Sequence, residues 1–204
     1  LAQAGATDAV RLRPTDHFIP AKLPGFFPDI APENPDPERA LQILEEEGYF
    51  LTKEFPKVVL YIPSGGKISA APVARELARQ FAARRLSLEV KTYRSLEDLK
   101  DVRRPFFAFV ETSLDYPDAE NVIQPIFGLS SGLRWLTADS PGDDFEKLLD
   151  SAGLEASRSR RTQLFRMMEQ LLRRDMPGIP LFTIERRLAV QSNIKGLRIP
   201  ALGI

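Results

Sequence analysis

The sequence contains no cysteine and only one histidine, His17. Without cysteine the chain has no disulfide, no thiolate metal site and no cysteine nucleophile. A single histidine also disfavours a histidine-based metal site and a catalytic base of the Ser-His-Asp type. We therefore expect no catalytic residue, no metal site and no cofactor.

Excess charge and long apolar runs are missing as well. The 28 Lys and Arg residues are balanced by 28 Asp and Glu, and the pI is about 6.9. Net charge therefore gives no reason to bind nucleic acid or an anionic membrane. No run approaches the roughly 18 apolar residues of a membrane span. The chain begins at Leu1 rather than Met, so we expect its natural start, with any signal segment, to lie upstream.

Proline is concentrated near the start of the chain. Its spacing over residues 1–37 forbids a long helix and favours an extended path. Phe18, Ile19, Phe26 and Phe27 give this segment apolar surface, so we expect an ordered arm that packs on the body. The prolines concerned are Pro14, Pro20, Pro24, Pro28, Pro32, Pro35 and Pro37.

The middle of the chain alternates between strand and helix patterns. Asp36-Pro37 predicts the start of a helix that ends at Gly48, with Ala40, Leu41 and Leu44 inward. The pattern then predicts a strand at 57–62, a helix at 69–85, a strand at 86–93, a short helix after Ser95 and a strand at 105–110. This β-α-β-α-β order predicts a mainly parallel sheet.

The second half of the chain reads as mostly helical. We expect helices at 118–127, from about 143, and from Ser157 or Ser159 to Asp175, where Pro177 stops the last one. Residues 179–184 and 187–190 are predicted to form a strand or a bent hairpin.

The apolar run from Pro105 to Val110 is followed by Asp115-Tyr116-Pro117-Asp118. Pro117 pushes Tyr116 out of the α region, and Asp118 is a good helix cap. We therefore expect Asp115 at the carboxyl end of a core strand, where open α/β sheets present ligand-binding groups.

This segment resembles the strand-then-Asp-Tyr-Pro-Asp segment in the C-terminal lobe of family 5 solute-binding proteins, the peptide- and nickel-type receptors of ABC importers. Further stretches are similar to family patterns in the same order. They are Gly5…Pro14…Ile19-Pro20…Pro24-Gly25, Glu38 to Tyr49 ("kAkaLLaeAGY"), Asp144 to Leu149 ("fDxLL"), Arg161 to Phe165 ("RxxLY"), Asp175 to Leu181 ("xxPxIPL") and Asn193 to Leu197 ("vKGf").

The resemblance implies an α/β fold with a mainly parallel sheet flanked by helices, one lobe of a periplasmic-binding-protein-like fold of type II, cluster C. Residues 1–204 would form a single lobe, with residues 1–37 as its arm. Whole family members have two lobes, so we expect this chain to be a fragment of a longer protein.

The resemblance also implies the function of an extracytoplasmic solute-binding component. The expected partners are a peptide or small-molecule ligand and the ABC permease, with no nucleic acid, and the expected state is a monomer. The expected location is periplasmic or extracellular, with a lipid anchor as one option.

The expected ligand-binding residues are Asp115, Ser113, Leu114, Tyr116 and Trp135. Asp115 stands where an aspartate of peptide-binding members pairs with the α-ammonium group of the ligand. From the residues alone, Asp115 could instead pair with a nearby arginine, and Trp135 could be a packing anchor. Glu111 to Leu114 also departs from members that have an aromatic residue there.

Two other functions fit parts of the sequence. Gly128-Leu129-Ser130-Ser131-Gly132 fits G-x-S-x-G, so a serine hydrolase using Ser130 is the alternative. That pattern needs a strand before it and a histidine after it, whereas a helix is predicted before it and His17 lies upstream. A protein-interaction module derived from a receptor is the third option.

Two further motifs are weak. Pro63 to Ser69 imitates a phosphate loop but lacks its first glycine and has Ile68 in place of the magnesium-binding hydroxyl. Asp115, Asp118 and Glu120 fail the spacing of a calcium loop.

Overall fold

The computed structural model describes residues 7–30, 35–66, 69–137, 141–189 and 195. The chain divides into two compact units. Residues 34–112 form the central unit, and residues 1–33 with 113–204 form the terminal unit. The sequence-based assignment of all 204 residues to one lobe stays a prediction.

The central unit is built on a three-stranded parallel sheet. Strand β2 (Val58–Pro63) lies between β3 (Leu88–Tyr93) and β4 (Phe106–Ala108), and both pairings are parallel. Residues 58–62 of β2 are all buried, as expected for a continuous apolar run in a parallel sheet. The predicted parallel α/β sheet is therefore confirmed.

Helices complete the central unit. Helix α1 (Pro37–Glu46) is capped by the Asp36 carboxylate, which accepts the Arg39 N–H at 2.8 Å. Helix α2 (Ala71–Ala82) joins β2 to β3 and packs on both strands. A 3₁₀ helix (Leu96–Leu99) follows β3, and Ser95 and Asp98 close a capping box at its start. The prediction that α1 buries an apolar face is wrong in part, since its Ala40 is exposed.

The terminal unit contains an antiparallel ribbon of two eight-residue strands, β1 (Thr7–Pro14) and β5 (Phe182–Ala189). Thr7 is opposite Ala189, and Pro14 is opposite Phe182. The Arg13 Nε atom lies 2.6 Å from Oε2 of Glu185 across the ribbon. The sequence predicted an extended arm at β1 and a strand or hairpin at β5, but not the pairing between them.

The core of the terminal unit is helical. It is formed by α3 (Glu120–Phe127), α4 (Asp143–Leu154) and α5 (Arg158–Asp175), with α4 packed on α5. Its fully buried large side chains include Phe145, Phe165, Ile123, Met168 and Leu172. No helix among the described residues is long and apolar enough to cross a membrane.

The proline-rich arm contributes to this core. Ile19 is fully buried and Leu23 is 8% exposed, and both belong to the core cluster. Gly25 has a φ of +98°, and a Cβ there would lie 2.9 Å from Cβ of Phe165. The arm approaches α5 so closely that only glycine fits at position 25.

Candidate functional site

The Asp115 loop, residues 113–118, lies in the terminal unit directly before α3. Asp115, Ser113 and Tyr116 are exposed, and Leu114 is half-buried against the helical core. Four of the five predicted ligand-binding residues are consecutive in the sequence and lie on this loop. Trp135, the fifth, is half-buried on a different element, the 3₁₀ helix Arg134–Thr137.

A buried amide side chain holds the backbone of this loop. The N–H of Asp115 donates to Oδ1 of Asn121 at 2.7 Å, and Asn121 is only 9% exposed. The loop also closes on itself, because the Asp118 N–H donates to the Tyr116 carbonyl at 2.9 Å. The backbone that presents the Asp115 carboxylate is therefore fixed from both sides.

Arg161 of α5 holds the two other carboxylates near the loop. Its Nη1 donates to Oδ2 of Asp118, and its Nη2 donates to Oε2 of Glu120 at 2.5 Å. Asp118 is engaged a second time, since its Oδ1 accepts the Glu120 N–H at 2.9 Å. The start of α3 is therefore tied to the start of α5 by one guanidinium group.

The surroundings of Arg161 fix its position and its charge. Its Nε donates to the carbonyl of Ala152 at 2.9 Å, and its guanidinium carbon lies 4.8 Å from the centre of the Phe165 ring. The hydrogen bond to Asp118, followed by the charges of Asp118 and Glu120, raises the pKa of Arg161 above its ordinary value. Arg161 is thus permanently charged.

Asp115 stands apart from this ion-pair network. Among the residues that the structure describes, no ion pair involves its carboxylate, and the nearby arginine binds Asp118 and Glu120 instead. No ion pair between Asp115 and an arginine is present among the described residues, so the alternative in which Asp115 is a structural salt-bridge partner has no support there. Asp115 is exposed.

The strand before Asp115 is shorter than predicted. β4 ends at Ala108, so Asp115 does not lie at the end of a sheet strand. The last hydrogen bond between β2 and β4 runs from the Phe109 N–H to the Tyr61 carbonyl. The pairing ends there because the next donor on β2 would be Pro63, which has no N–H. The Phe109 carbonyl accepts the Tyr93 hydroxyl at 2.7 Å instead.

The sequence did not reveal Asn121 or Arg161 as members of the site. Their roles depend on contacts with the loop, and the contact between Arg161 and Asp118 spans 43 positions of the chain. Arg161 lies in a family pattern, the match from Arg161 to Phe165, but that pattern does not say which group its charge contacts. The sequence offered only an arginine at the start of a predicted helix, and the two carboxylates that it contacts lie 43 and 41 positions earlier in the chain.

The G-x-S-x-G segment lacks the geometry of a hydrolase. It follows helix α3 rather than a strand, and Ser130 lies in an exposed turn. The Ser131 hydroxyl donates to the carbonyl of Pro125, and a Cβ at Gly128 would lie 2.9 Å from the Gln124 carbonyl oxygen. The motif residues thus terminate a helix.

His17 does not face this segment as a catalytic base. Its side chain is 9% exposed, and its Nδ1 lies 3.3 Å from Oε1 of Glu169 on α5. It is therefore part of the interior contact between the arm and α5.

Parts of two other sequence motifs lie outside the described residues. Lys67 and Ile68 of the phosphate-loop imitation lie outside the described residues, as do the residues around Lys195 in the "vKGf" match. Within the described parts of the chain, no group of three or more His, Asp or Glu side chains is arranged to hold a metal ion.

Solved periplasmic binding proteins share this architecture. NikA from Staphylococcus aureus, in complex with Ni(L-His)2, matches with a TM-score of 0.72 at 17% identity, over 94% of this chain and 41% of NikA. The Escherichia coli murein tripeptide binding protein MppA matches with a TM-score of 0.71 at 17% identity, over 89% and 36%. The periplasmic binding protein DppA from Helicobacter pylori, in complex with the peptide STSA, matches with a TM-score of 0.68 at 16% identity, over 88% and 35%.

No protein-family model and no curated protein matches the sequence. The chain spans only 35–41% of the length of the three solved relatives. At these identities the likeness concerns the fold, and the fold predicted from the sequence resemblance is confirmed. This chain has the α/β fold of part of a periplasmic solute-binding protein.

Proposed function

We propose that this chain is one lobe of the extracytoplasmic solute-binding component of an ABC importer, in family 5 of such proteins. Its ligand is a peptide or a similar small solute, held non-covalently between this lobe and a second one. Its partners are that ligand and the importer's permease, and it acts as a monomer in the periplasm or outside the cell. The ordered motif matches in the sequence and the shared fold support this proposal together.

The observation that best supports the proposal is the exposure of Asp115 and its lack of an ion pair among the described residues. Its carboxylate is exposed and without an ion pair among the described residues, while its backbone is fixed through Asn121. A peptide carries an α-ammonium group, which is charged below its pKa of about 7.7–8.0. A hydrogen bond between this ammonium and Asp115 would be charge-assisted and about twice as strong as a neutral one.

The non-enzymatic part of the proposal has its own support. The solved relatives named above are binding proteins, and Ser130 lacks the strand and histidine that a hydrolase needs. The other alternative is a protein-interaction module derived from a receptor. No comparable observation favours it, because Asp115 is presented as a single charged group and not as part of an apolar surface.

The test is an NMR titration of the ¹⁵N-labelled chain with Ala-Ala-Ala and with its N-acetylated form. A single lobe supplies part of the contacts, and losing several contacts of about 1.5–3 kcal/mol each moves a micromolar site to about millimolar affinity. We expect weak shifts in the amides of Ser113 to Tyr116 with the free peptide. They should vanish with the acetylated peptide, which has no ammonium group.

The matched variant is Asp115→Asn, which keeps the size of the side chain and removes its charge. We expect it to abolish the shifts and to leave thermal stability almost unchanged. Equal shifts with both peptides, or with both proteins, would refute the role of Asp115. A large loss of stability in Asp115→Asn would show that it is a structural residue.

A further inference from the structure

The central unit has a shallow surface pocket that the proposed function does not use. Its volume is about 440 Å³, which is within the usual range for small-molecule sites. One wall is the segment between α1 and β2, and the other is the segment between α2 and β3. The lining residues are Phe50, Leu51, Thr52, Lys53, Glu54, Phe55, Arg85 and Ser87.

Two of the lining residues have a left-handed backbone. Phe50 has a φ of 71° and Arg85 has a φ of 60°. This conformation is uncommon for a residue with a Cβ, and it is an outlier for a bulky side chain. Strained backbone of this kind is concentrated at functional sites, where the rest of the fold maintains it. The two strained residues come from separate segments, yet both line the same pocket.

The ends of the two helices show what glycine would do at position 85. After α2, the Leu86 N–H donates to the Phe81 carbonyl at 3.0 Å and the Arg85 N–H donates to the Ala82 carbonyl at 3.1 Å. These are the two bonds of a Schellman motif, whose left-handed residue is usually glycine. After α1, the equivalent residue is indeed a glycine, Gly48, with a φ of 84°. Arg85 therefore stands where a backbone requirement alone favours glycine.

Aromatic rings form the apolar part of the pocket. The rings of Phe50 and Phe55 are stacked, with their centres 6.3 Å apart and their planes 14° apart. Phe50 is 39% exposed, and the neighbouring Leu51 is 80% exposed. These apolar side chains are thus accessible to the ring or apolar body of a ligand.

The charged side chains of the pocket are two cations and one carboxylate, Glu54. The Lys53 Nζ atom donates to the Glu47 carbonyl at 3.0 Å and lies 5.7 Å from the centre of the Tyr49 ring, so it is held in place. Arg85 is exposed, and its guanidinium group makes no hydrogen bond or ion pair among the described residues. The lining therefore carries a net positive charge.

We propose that this pocket binds a small aromatic carboxylate. Phe50 and Phe55 hold the ring of the ligand, and Arg85 binds its carboxylate through charge-assisted hydrogen bonds. The side chains of Phe50 and Arg85 supply contacts that glycine cannot supply, which explains why the chain keeps them at strained positions. The site does not depend on the proposed function, because the Asp115 loop belongs to the other unit.

The test is an NMR titration of the ¹⁵N-labelled chain with N-acetyl-phenylalanine near neutral pH. We expect saturable shifts in the amides of residues 50–55, 85 and 87. N-acetyl-phenylalaninamide lacks the carboxylate and should bind about three- to fivefold more weakly, the range of an exposed ion pair. N-acetyl-alanine lacks the ring and should also bind more weakly. Absence of shifts with N-acetyl-phenylalanine, or equal shifts with all three compounds, would overturn the proposal.

Arg85→Asn separates binding from stability. It removes the charge, and asparagine tolerates the left-handed conformation. We expect N-acetyl-phenylalanine to bind about three- to fivefold more weakly while Tm is unchanged or raised. The matched control is Arg75→Gln, which removes one charge from an exposed position of α2 outside the pocket and should bind like wild type.

Equal weakening in Arg85→Asn and Arg75→Gln would overturn the proposal, because net charge would then explain the binding. A lowered Tm in Arg85→Asn would also count against it, since Arg85 would then be kept for stability. Glu54→Gln removes the carboxylate from the lining and should bind as well as wild type or better. Weaker binding by this variant would show that the pocket selects a positive group instead.

Phe50→Asn tests the aromatic part of the site. It removes the ring without adding backbone strain, so the preference for N-acetyl-phenylalanine over N-acetyl-alanine should be lost. If this variant loses its native amide dispersion, Phe50→Met, which keeps apolar volume without a ring, takes its place and should reduce the same preference. A wild-type preference in the folded variant would overturn the role of Phe50.

Discussion

The Glu169 carboxylate accepts the backbone N–H of Ile19 at 3.1 Å, across 150 positions of the chain. Its other oxygen accepts the N–H of Phe18 at 3.0 Å. Glu169 is 1% exposed, and burial raises the pKa of its carboxyl group, while the two N–H donors, His17 and Arg173 act in the opposite direction. One acidic side chain of α5 thus satisfies two consecutive backbone donors of the arm.

We expect Glu169→Ala to destabilise the protein strongly. It leaves the N–H groups of Phe18 and Ile19 without their partner, and each buried donor left in this way costs about 1–3 kcal/mol. The free energy of unfolding in urea should therefore fall by about 2 kcal/mol or more. The matched control is Gln170→Ala, the exposed neighbour on the same helix, which should stay within about 0.5 kcal/mol of wild type.

The raised pKa of Glu169 predicts the direction of a pH effect. Between the ordinary carboxyl value of 4.5 and the raised value, the folded protein binds more protons at Glu169 than the unfolded chain does. The stabilisation that comes from the raised pKa of Glu169 is therefore fully present below pH 4.5. It is lost as the pH rises through the pKa that Glu169 has in the folded protein. Glu169→Gln cannot titrate and serves as the reference.

The measurement is the unfolding free energy of wild type minus that of Glu169→Gln, followed from pH 4 upward. We expect this difference to fall with pH and then to level off. A difference that grows with pH would mean that the two N–H donors, His17 and Arg173 together stabilise the ionised form more than burial opposes it.

Met176 ends α5 in a left-handed conformation, with φ 45° and ψ 52°. A residue with a Cβ is strained there by about 1–2 kcal/mol, whereas glycine is not. Because Met176 is 43% exposed and packs little, we expect Met176→Gly to raise the free energy of unfolding by about 0.5–1 kcal/mol. Gln170→Gly, inside the same helix, should lower it by about 1 kcal/mol. Equal losses in both variants would contradict the assignment of strain to Met176.

We expect no turnover of ester, peptide or nucleotide substrates by this chain. Ser130 follows a helix, and the single histidine is held in the interior by Glu169, so the arrangement of a Ser-His-Asp triad is not available to the hydroxyl. The check is an assay with activated esters, run beside Ser130→Ala. Hydrolysis by wild type that disappears in Ser130→Ala would refute the binding-protein proposal.

Local patterns predicted much of the fold. The run Lys57–Ile62 predicted β2 to within one residue at each end, and Ser95 was predicted as the start of the short helix that follows β3. The end of α5 before Pro177 also follows from the sequence, because proline cannot continue a helix. These features depend on residues that are close together in the chain.

The features that were missed depend on partners far away in the chain. β1 pairs with β5, and no short stretch encodes that register. The early end of β4 is caused by Pro63 on a neighbouring strand, not by anything in its own sequence. For the candidate site, the resemblance supplied Asp115, but the loop's support by Asn121 and Arg161 required the folded arrangement.

The pairing of Thr7 with Ala189 has a consequence for how this module can be engineered. Because β1 and β5 are antiparallel neighbours, the start of β1 at Thr7 and the end of β5 at Ala189 lie next to each other. Domains with adjacent ends tolerate circular permutation and insertion into a loop of another protein. A short linker from residue 189 to residue 7, with new ends opened in the exposed Ser130 turn, would preserve every strand pairing of the ribbon.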